Sequence, residues 1–280
     1  MGWYFCGAGQ VGVALCNLVA GLAMQSEDVS SPLLCMSKGA ALLVGTIGET
    51  ESHQHHAIQI AFGLREKFHI RILDSSIRTR SIIVASDAKH QSIGNFGAQV
   101  LLYIEPESDF GRMVDDKLTA SCLILDWPES FFSSLRAMVR ERTLGIKSLQ
   151  NLMLNFWNEP ELRPETDVRI AKALHFIEDS PQKKLRIAAL AAHLTLSQSR
   201  LQHLFKQHVG ISIKRYLLWK RLIDGINSVI NGLDFSTAHY EAGFSDGAHM
   251  SRTFKAMFGI NLSELFKSSR FIQVVQEYPG

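Results

Sequence analysis

The chain is poor in cysteine, and its cysteines form no pattern of a metal or disulfide framework. Its 280 residues contain Cys6, Cys16, Cys35 and Cys122, with no C-x-x-C pair among them. This spacing excludes a zinc finger and a small disulfide-bonded fold. Free thiols are typical of a reducing compartment, so the expected location is the cytoplasm.

The sequence also lacks the short motifs of common enzymes. It contains no G-x-S-x-G, no P-loop and no H-E-x-x-H. Residues 7–12 fit G-x-G-x-x-G, but a dinucleotide-binding loop must follow a strand, and only six residues precede this one. We therefore expect a protein that is not an enzyme.

Charge is absent from the first 26 residues, and residues 11–24 are strongly apolar. A signal peptide would carry Lys or Arg before such a run. A membrane span needs about 20 apolar residues, and glycines interrupt this stretch. The sequence favours an N-terminal extension over residues 1–30, with Met24 as an alternative start, and no membrane partner.

Net charge is small overall but unevenly distributed. The chain carries a net charge of +2, with 46% apolar and 20% charged residues, which excludes a disordered protein. Residues 1–164 have a net charge of −3, residues 165–280 of +5, and residues 183–258 of +7. Pro160 and Pro164 mark a linker over residues 158–166. A basic C-terminal domain following a mildly acidic one is the expectation, and basic domains often bind nucleic acid.

The C-terminal half contains an internal repeat. Residues 201–210 (LQHLFKQHVG) and 250–259 (MSRTFKAMFG) share Phe-Lys and a closing Gly at an offset of 49. Apolar residues recur at helical spacing in both copies, and a Ser or Asp precedes each helix. Shorter helices at about 187–194 and 237–242 precede them, and a helix over about 212–231 would join the two units. This order predicts two helix-turn-helix modules.

These residues resemble the DNA-binding domain of the AraC/XylS transcription regulators. The strongest match lies in residues 242–246 (AGFSD), 251–255 (SRTFK) and 258–259 (FG), and the first module adds residues 190–210. The resemblance covers about 100 residues. It implies two modules on one linker helix that read adjacent segments of the major groove.

Within each predicted recognition helix, the face opposite the apolar stripe should meet DNA. Arg252 suits guanine, and Gln198, Gln202 and His203 could read base edges in the first module. We expect the basic residues to bind the phosphate groups of the DNA backbone. The predicted DNA-contacting set is Gln198, Ser199, Arg200, Gln202, His203, Lys206, Lys214, Arg215, Ser251, Arg252 and Lys255.

The N-terminal half reads as short strands followed by helices. Apolar runs at residues 41–44, 57–62, 70–73, 82–85 and 100–104 predict strands of a small barrel or jelly roll. Helices are predicted at 129–142 and 146–157. This helical pair would form a dimer interface or pack on the barrel.

Four histidines stand out in the strand region. His53, His55 and His56 precede one strand and His90 follows another, an arrangement that resembles a cupin, the barrel found in many AraC/XylS proteins. The cupin pattern would place a Glu where Gln59 stands. We consider structural or pocket-lining histidines, an effector site using His53, His55, His56, Gln59 and His90, and a metal site (Zn, Ni, Fe or Mn) using His53, His55, His56 and His90.

The predicted fold class is a multidomain α+β protein, with an N-terminal cupin-like β-barrel followed by helices and then an all-α double helix-turn-helix domain. The predicted units are an extension (1–30), a sensor barrel (31–108), a helical dimerisation or packing region (109–157), a linker (158–166) and the DNA-binding domain (167–272).

The leading functional hypothesis is a transcription regulator that binds double-stranded promoter or operator DNA under the control of a small molecule or metal. A homodimer that contacts RNA polymerase is expected. The alternatives are a metal-dependent cupin enzyme with a DNA-binding tail, and a regulator controlled by a protein partner, whose barrel is purely structural.

Overall fold

The computed structural model describes residues 33–46, 48–94, 97–157, 167–180, 185–262 and 273–276. The predicted extension (1–30) and linker (158–166) lie outside these residues. We call residues 33–157 the N-terminal domain and residues 167–262 the C-terminal domain.

The N-terminal domain is built mainly from strands. They are β1 (Leu33–Ser37), β2 (Ala40–Thr46), β3 (Ile58–Gly63), β4 (Phe68–Ile72), β5 (Ser75–Thr79), β6 (Ser81–Val84), β7 (His90–Ile93), β8 (Ala98–Ile104) and β9 (Cys122–Ile124), joined by β10 (Gln273–Gln276) from further along the chain. The five strands predicted from apolar runs coincide with β2, β3, β4, β6 and β8 to within two residues at each end. Strands β5 and β7 escaped prediction because their sequences, SSIRT and HQSI, are largely polar.

These strands form two sheets. The larger has seven strands in the order β10-β1-β2-β8-β3-β6-β9, and the smaller has three in the order β5-β4-β7. The pairings are antiparallel except that β10 runs parallel to β1. An isolated bridge joins His53 to His90, next to the smaller sheet.

Of the two predicted forms, the barrel is corrected: in the part of the chain that the structure describes, the sheets pack face to face, as in a two-sheet fold, and do not close edge to edge. Phe68, Ile70 and Ile72 of the smaller sheet pack on one face of the larger, against Ala61 and Ile82. The residues between them point the other way, because side chains alternate along a strand. Alternating apolar residues fit a barrel or an open sandwich equally well, so the sequence could not separate the two.

The opposite face of the larger sheet is covered by helices. Helices α1 (Asp109–Asp115), α2 (Glu129–Arg140) and α3 (Ile146–Trp157) follow β8. Phe131 and Leu135 of α2 and Leu149 of α3 join Ile60 and Phe62 of β3 in one buried core. The larger sheet is therefore apolar on both faces.

The C-terminal domain is helical, as predicted. Its described helices are α4 (Val168–Asp179), α5 (Ile187–His193), α6 (Gln198–Val209), α7 (Ile213–Ile230), α8 (Phe235–Glu241) and α9 (Gly247–Phe258). Helices α6 and α9 are the two predicted recognition helices. Helix α7 is the predicted linker helix.

Both recognition helices begin and end as the sequence indicates. The side chain of Ser197 accepts a hydrogen bond from the N–H of Arg200, and Asp246 accepts one from the N–H of His249. Gly210 and Gly259 end the helices in the left-handed conformation, at φ +83° and +70°. Side-chain caps of this kind satisfy N–H groups that the first helical turn leaves free.

Each module has its own apolar core, and α7 belongs to both. Leu201 and Phe205 of α6 pack against Tyr216 near the start of α7. Met250 and Phe254 of α9 pack against Leu222 further along the same helix. A single rigid element thus sets the relative positions of the two modules.

Among the described residues, none of the helices is long and apolar enough to cross a membrane.

We predict that Phe205→Ala destabilises the first module. The Phe205 side chain is fully buried at 0% exposure, and removing a buried aromatic ring costs about 3–5 kcal/mol of the free energy of unfolding. Urea denaturation followed by far-UV circular dichroism should show the loss. The exposed neighbour Gln207 provides the control, because Gln207→Ala should leave the curve unchanged; equal effects of the two substitutions would contradict the packing of Phe205 in the module core.

Candidate DNA-binding surface and histidine site

The first recognition helix presents its polar side to solvent. Leu201, Leu204 and Phe205 of α6 are buried against the module core. The predicted DNA-contacting residues on this helix are all exposed: Gln198, Ser199, Arg200, Gln202, His203 and Lys206. The helix can therefore offer amides, an imidazole and cations to a groove without losing packing.

On the second recognition helix, only some of the predicted DNA-contacting side chains are exposed and without an ion-pair partner among the residues that the structure describes. Arg252 is exposed, Ser251 is partly buried, and Met250 and Phe254 are buried. Lys255 forms an ion pair with Glu51 of the N-terminal domain, at 2.7 Å between Nζ and Oε1. Arg252 is thus the side chain of the predicted set on α9 that is best placed to reach a base.

The two basic residues at the start of α7 also differ. Lys214 is exposed. Arg215 is half-buried, and its Nη1 donates a hydrogen bond to the Asp87 carboxylate of the N-terminal domain at 2.6 Å. In this arrangement of the domains, Arg215 and Lys255 face carboxylates from the N-terminal domain.

Three of the predicted histidines come together in the N-terminal domain. His53, His55 and His90 each have one ring nitrogen within 4.8 Å of the others, and all three side chains are buried. The ring centroids of His53 and His90 lie 4.2 Å apart, and those of His55 and His90 lie 5.1 Å apart. We call these three residues the histidine site. The bridge between His53 and His90 holds two of them in register, through backbone hydrogen bonds of 2.9 Å in each direction.

Backbone carbonyl groups fix the orientation of all three rings. Nδ1 lies 2.8 Å from a carbonyl oxygen in each case: Glu51 for His53, Ala57 for His55 and Ala88 for His90. A carbonyl oxygen can only accept, so each Nδ1 carries the proton and donates. Each Nε2 is left with its lone pair. Anchoring of one ring nitrogen in this way is the usual outer-sphere support of metal-binding histidines.

The side-chain amide of Gln59 lies next to the unprotonated Nε2 atoms of two of these rings. Its Oε1 lies 3.2 Å from Nε2 of His55 and 3.2 Å from Nε2 of His90. Two unprotonated nitrogens cannot donate to a carbonyl oxygen. The amide group must therefore turn its NH₂ towards them or share a cation with them.

The rings are held neutral by their surroundings. Burial lowers the pKa of His55 well below its usual value, and repulsion from His90 and His53 lowers it further. Burial and the neighbouring His53 lower the pKa of His90 to about 4. Burial also lowers the pKa of His53. Neutral imidazole is the form that binds a metal ion.

His56 lies apart from the histidine site, although the sequence grouped it with the others. Its Nε2 bonds to Oε2 of Glu107 at 2.8 Å. Its side chain is buried against Glu107, and its ring also packs against Tyr216, 5.3 Å away between centroids. The structure brings together three of the four predicted ligands and gives the fourth a carboxylate partner.

The histidine site has neighbours that the sequence pattern did not reveal. The Tyr103 ring lies 5.3 Å from that of His55, and burial raises the pKa of its hydroxyl. Trp219 of α7 and Phe258 of α9 lie 6.3 and 5.7 Å from the same ring. These last two come from the C-terminal domain, about 160 to 200 positions away in sequence, and no local signal could have placed them here.

Comparison with known proteins supports the assignment of the C-terminal domain. A family model described as a helix-turn-helix domain matches residues 190–268. The arabinose operon regulatory protein of Escherichia coli (strain K12) is 32% identical over 125 residues, which cover 43% of this chain and 43% of that protein. The chain thus aligns with less than half of that relative's length.

A longer match is found to the probable transcriptional regulator LumQ of Photobacterium leiognathi. It is 26% identical over 242 residues, covering 80% of this chain and 95% of LumQ. This alignment extends well beyond the helix-turn-helix region into the N-terminal domain.

The solved structures show that the two-domain fold also occurs elsewhere. ToxT of Vibrio cholerae superposes with a TM-score of 0.57 at 13% identity, covering 82% of this chain and 98% of ToxT. A ToxT structure from strain SCE256 with a bound unsaturated fatty acid gives 0.55 at 12% identity, covering 86% and 96%. The C-terminal domain, with its two helix-turn-helix modules, is thus similar in sequence to transcription regulators that include the arabinose operon regulatory protein.

Proposed function

We propose that the protein is a sequence-specific DNA-binding transcription regulator whose N-terminal domain binds an effector. The observation that carries this proposal is the pair of recognition helices on one linker helix, with exposed polar faces and a local net charge of +7 over residues 183–258. Positive charge of this kind attracts the phosphate backbone, and the exposed faces can read base edges. The similarity to transcription regulators favours this function over a cupin enzyme.

The contacts with DNA divide into base reading and phosphate binding. Arg252 is exposed on α9 and can offer two parallel donors to guanine. Gln198, Gln202 and His203 supply the corresponding groups on α6. The remaining members of the predicted set, Ser199, Arg200, Lys206, Lys214, Arg215, Ser251 and Lys255, would bind phosphates or fix the register.

We predict that Arg252→Ala relaxes specificity at one base-pair position, because a bidentate contact discriminates between bases. Its loss should cost about 1–3 kcal/mol on the preferred sequence and much less on a sequence substituted at that position. The protein first selects its preferred duplex from a random pool. Fluorescence anisotropy then measures the dissociation constant for this duplex and for its single-base variants.

Lys206→Ala is the matched comparison, because loss of a phosphate contact weakens binding evenly across sequences and reduces its salt dependence. Arg140→Ala is the control that should leave DNA affinity unchanged, because Arg140 is an exposed residue at the end of α2 in the N-terminal domain, outside both helix-turn-helix modules. An equal loss on all duplexes for Arg252→Ala would contradict the base-reading role.

For the effector we infer a divalent cation at the histidine site. Three neutral imidazoles each have a ring nitrogen within 4.8 Å of the other two, and each is anchored through Nδ1. Imidazole ligands suit Zn, Ni and Fe, and Mn is also compatible with a mixed set that includes the Gln59 oxygen. The residues present therefore fit a cation, with a neutral amide where a cupin would supply a carboxylate.

An organic effector is the second candidate. ToxT, which shares the two-domain fold, has been crystallised with an unsaturated fatty acid.

A homodimer, contact with RNA polymerase and a cytoplasmic location complete the proposed function. Sedimentation of the purified protein with and without DNA would test the homodimer.

We predict that the full chain, purified without a histidine tag, binds one equivalent of Co²⁺, a spectroscopic substitute for Zn²⁺. Titration calorimetry and visible absorption would measure this. His90→Asn should lower the affinity by at least about tenfold, since it removes one of three ligands. The exposed His175 supplies the control, His175→Asn, which should bind as the unaltered protein does. Substoichiometric binding, or equal affinities for both variants, would contradict the site.

A further inference from the structure

The end of the second recognition helix rests directly on the histidine site. The N–H of Glu51 donates to the carbonyl oxygen of Gly259 at 2.8 Å, and Gly259 is the residue that ends α9. The carbonyl group of Glu51 in turn accepts from Nδ1 of His53 at 2.8 Å. A single residue, Glu51, thus connects a ring of the histidine site to the recognition helix.

Gly259 fits this position because it has no side chain. A Cβ atom there would lie 2.5 Å from Nδ1 of His53 and 2.4 Å from the carbonyl oxygen of Glu51. The corresponding glycine of the first module, Gly210, has the same left-handed backbone, at φ +83°, but nothing within 4 Å of its Cβ position. The first glycine therefore only ends a helix, whereas the second also forms a contact between domains.

Side chains of the C-terminal domain also enclose His55. The rings of Phe258 and Trp219 lie 5.7 and 6.3 Å from it. His55 is 2% exposed, and the contacts with α7 and α9 contribute to that burial. The docked C-terminal domain thus helps to hold two of the three rings in place.

The same docking places carboxylates beside cations that are predicted to bind phosphate. Glu51 pairs with Lys255, and Asp87 pairs with Arg215. Exposed pairs of this kind contribute little to stability. A carboxylate beside each cation nevertheless repels an approaching phosphate and occupies the donor groups that it would use.

We propose that a divalent cation at the histidine site weakens DNA binding, and that the contact between Gly259, Glu51 and His53 transmits the effect to α9. This inference rests on the cation site and the DNA-binding function proposed above. The cation should bind more tightly when Gly259, Phe258 and Trp219 hold its ligands in place. It therefore favours the docked arrangement, in which Lys255 and Arg215 face carboxylates.

The coupling between the cation and DNA must act in both directions. If the cation lowers the affinity for DNA, DNA must lower the affinity for the cation by the same factor. We expect a factor of about ten, within the usual range for coupling between two sites.

The experiment uses the full, tag-free chain, Co²⁺ as the only added cation, and a duplex selected by the protein from a random pool. The dissociation constant for DNA is measured with and without saturating Co²⁺, and that for Co²⁺ with and without DNA. Gly259→Ala is compared with Gly210→Ala, which imposes the same backbone strain at a helix end without a contact between domains.

The unaltered protein and Gly210→Ala should bind DNA about tenfold more weakly with Co²⁺. Gly259→Ala should bind DNA more tightly without the cation and show almost no change when it is added, while still binding Co²⁺ in the absence of DNA. Glu51→Gln provides a second variant if Gly259→Ala does not fold. It keeps the backbone groups, removes the carboxylate beside Lys255, and should bind DNA more tightly without Co²⁺.

The contrary outcomes are distinct. Bound Co²⁺ with unchanged DNA affinity would overturn the coupling and leave the cation site standing. Equal loss of coupling in both glycine variants would assign the effect to strain at a helix end and overturn the role of Gly259. No binding of Co²⁺ would remove the cation site and the coupling together. Failure to select any duplex would contradict the DNA-binding function itself.

Discussion

The arrangement of the two domains depends on one buried carboxylate. Glu105 follows β8, is 7% exposed, and accepts hydrogen bonds from Nε1 of Trp219 at 3.0 Å and from Nζ of Lys220 at 3.2 Å. Burial would lower the pKa of Lys220, but the charge of Glu105 raises it overall, so the Lys220 ammonium keeps its proton. Removing either partner would leave an uncompensated charge in a buried position, a large cost. The middle of α7 is therefore fixed to the end of β8.

Because α7 belongs to the cores of both modules, fixing its middle positions the whole C-terminal domain. Two further contacts between the domains follow from that placement. Asp87 pairs with Arg215 at the start of α7, and the N–H of Glu51 donates a hydrogen bond to the carbonyl oxygen of Gly259. The side chains of Arg215 and Asp87 are each about one third exposed, so this ion pair contributes little to holding the domains. An effector therefore needs to act only on the weaker, outer contacts to change how the recognition helices are presented, which is the ordinary requirement for a shift between two populated arrangements.

The sequence predicted the features that local chemistry decides. Ser197, Asp246, Gly210 and Gly259 mark the ends of helices because capping involves only neighbours in the chain. It failed where partners are distant. The open pair of sheets differs from a barrel only in which strands meet at the edges, and the histidine site is completed by Trp219 and Phe258 from the other domain. The grouping of His56 with His55 failed because the partner of His56, Glu107, lies 51 residues further along the chain.

The two glycines of the internal repeat show why a repeat does not imply equal roles. Both satisfy the same local demand, a left-handed residue at the end of a recognition helix. One has open space around it, while the other lies so close to His53 and Glu51 that a Cβ atom would force its neighbours to shift. Since either glycine would be required by its backbone conformation alone, the sequence carries no mark of the second constraint on Gly259. Only the folded chain, with α7 held by Glu105, brings that helix end to the histidine site and gives one copy of the repeat a contact that the other lacks.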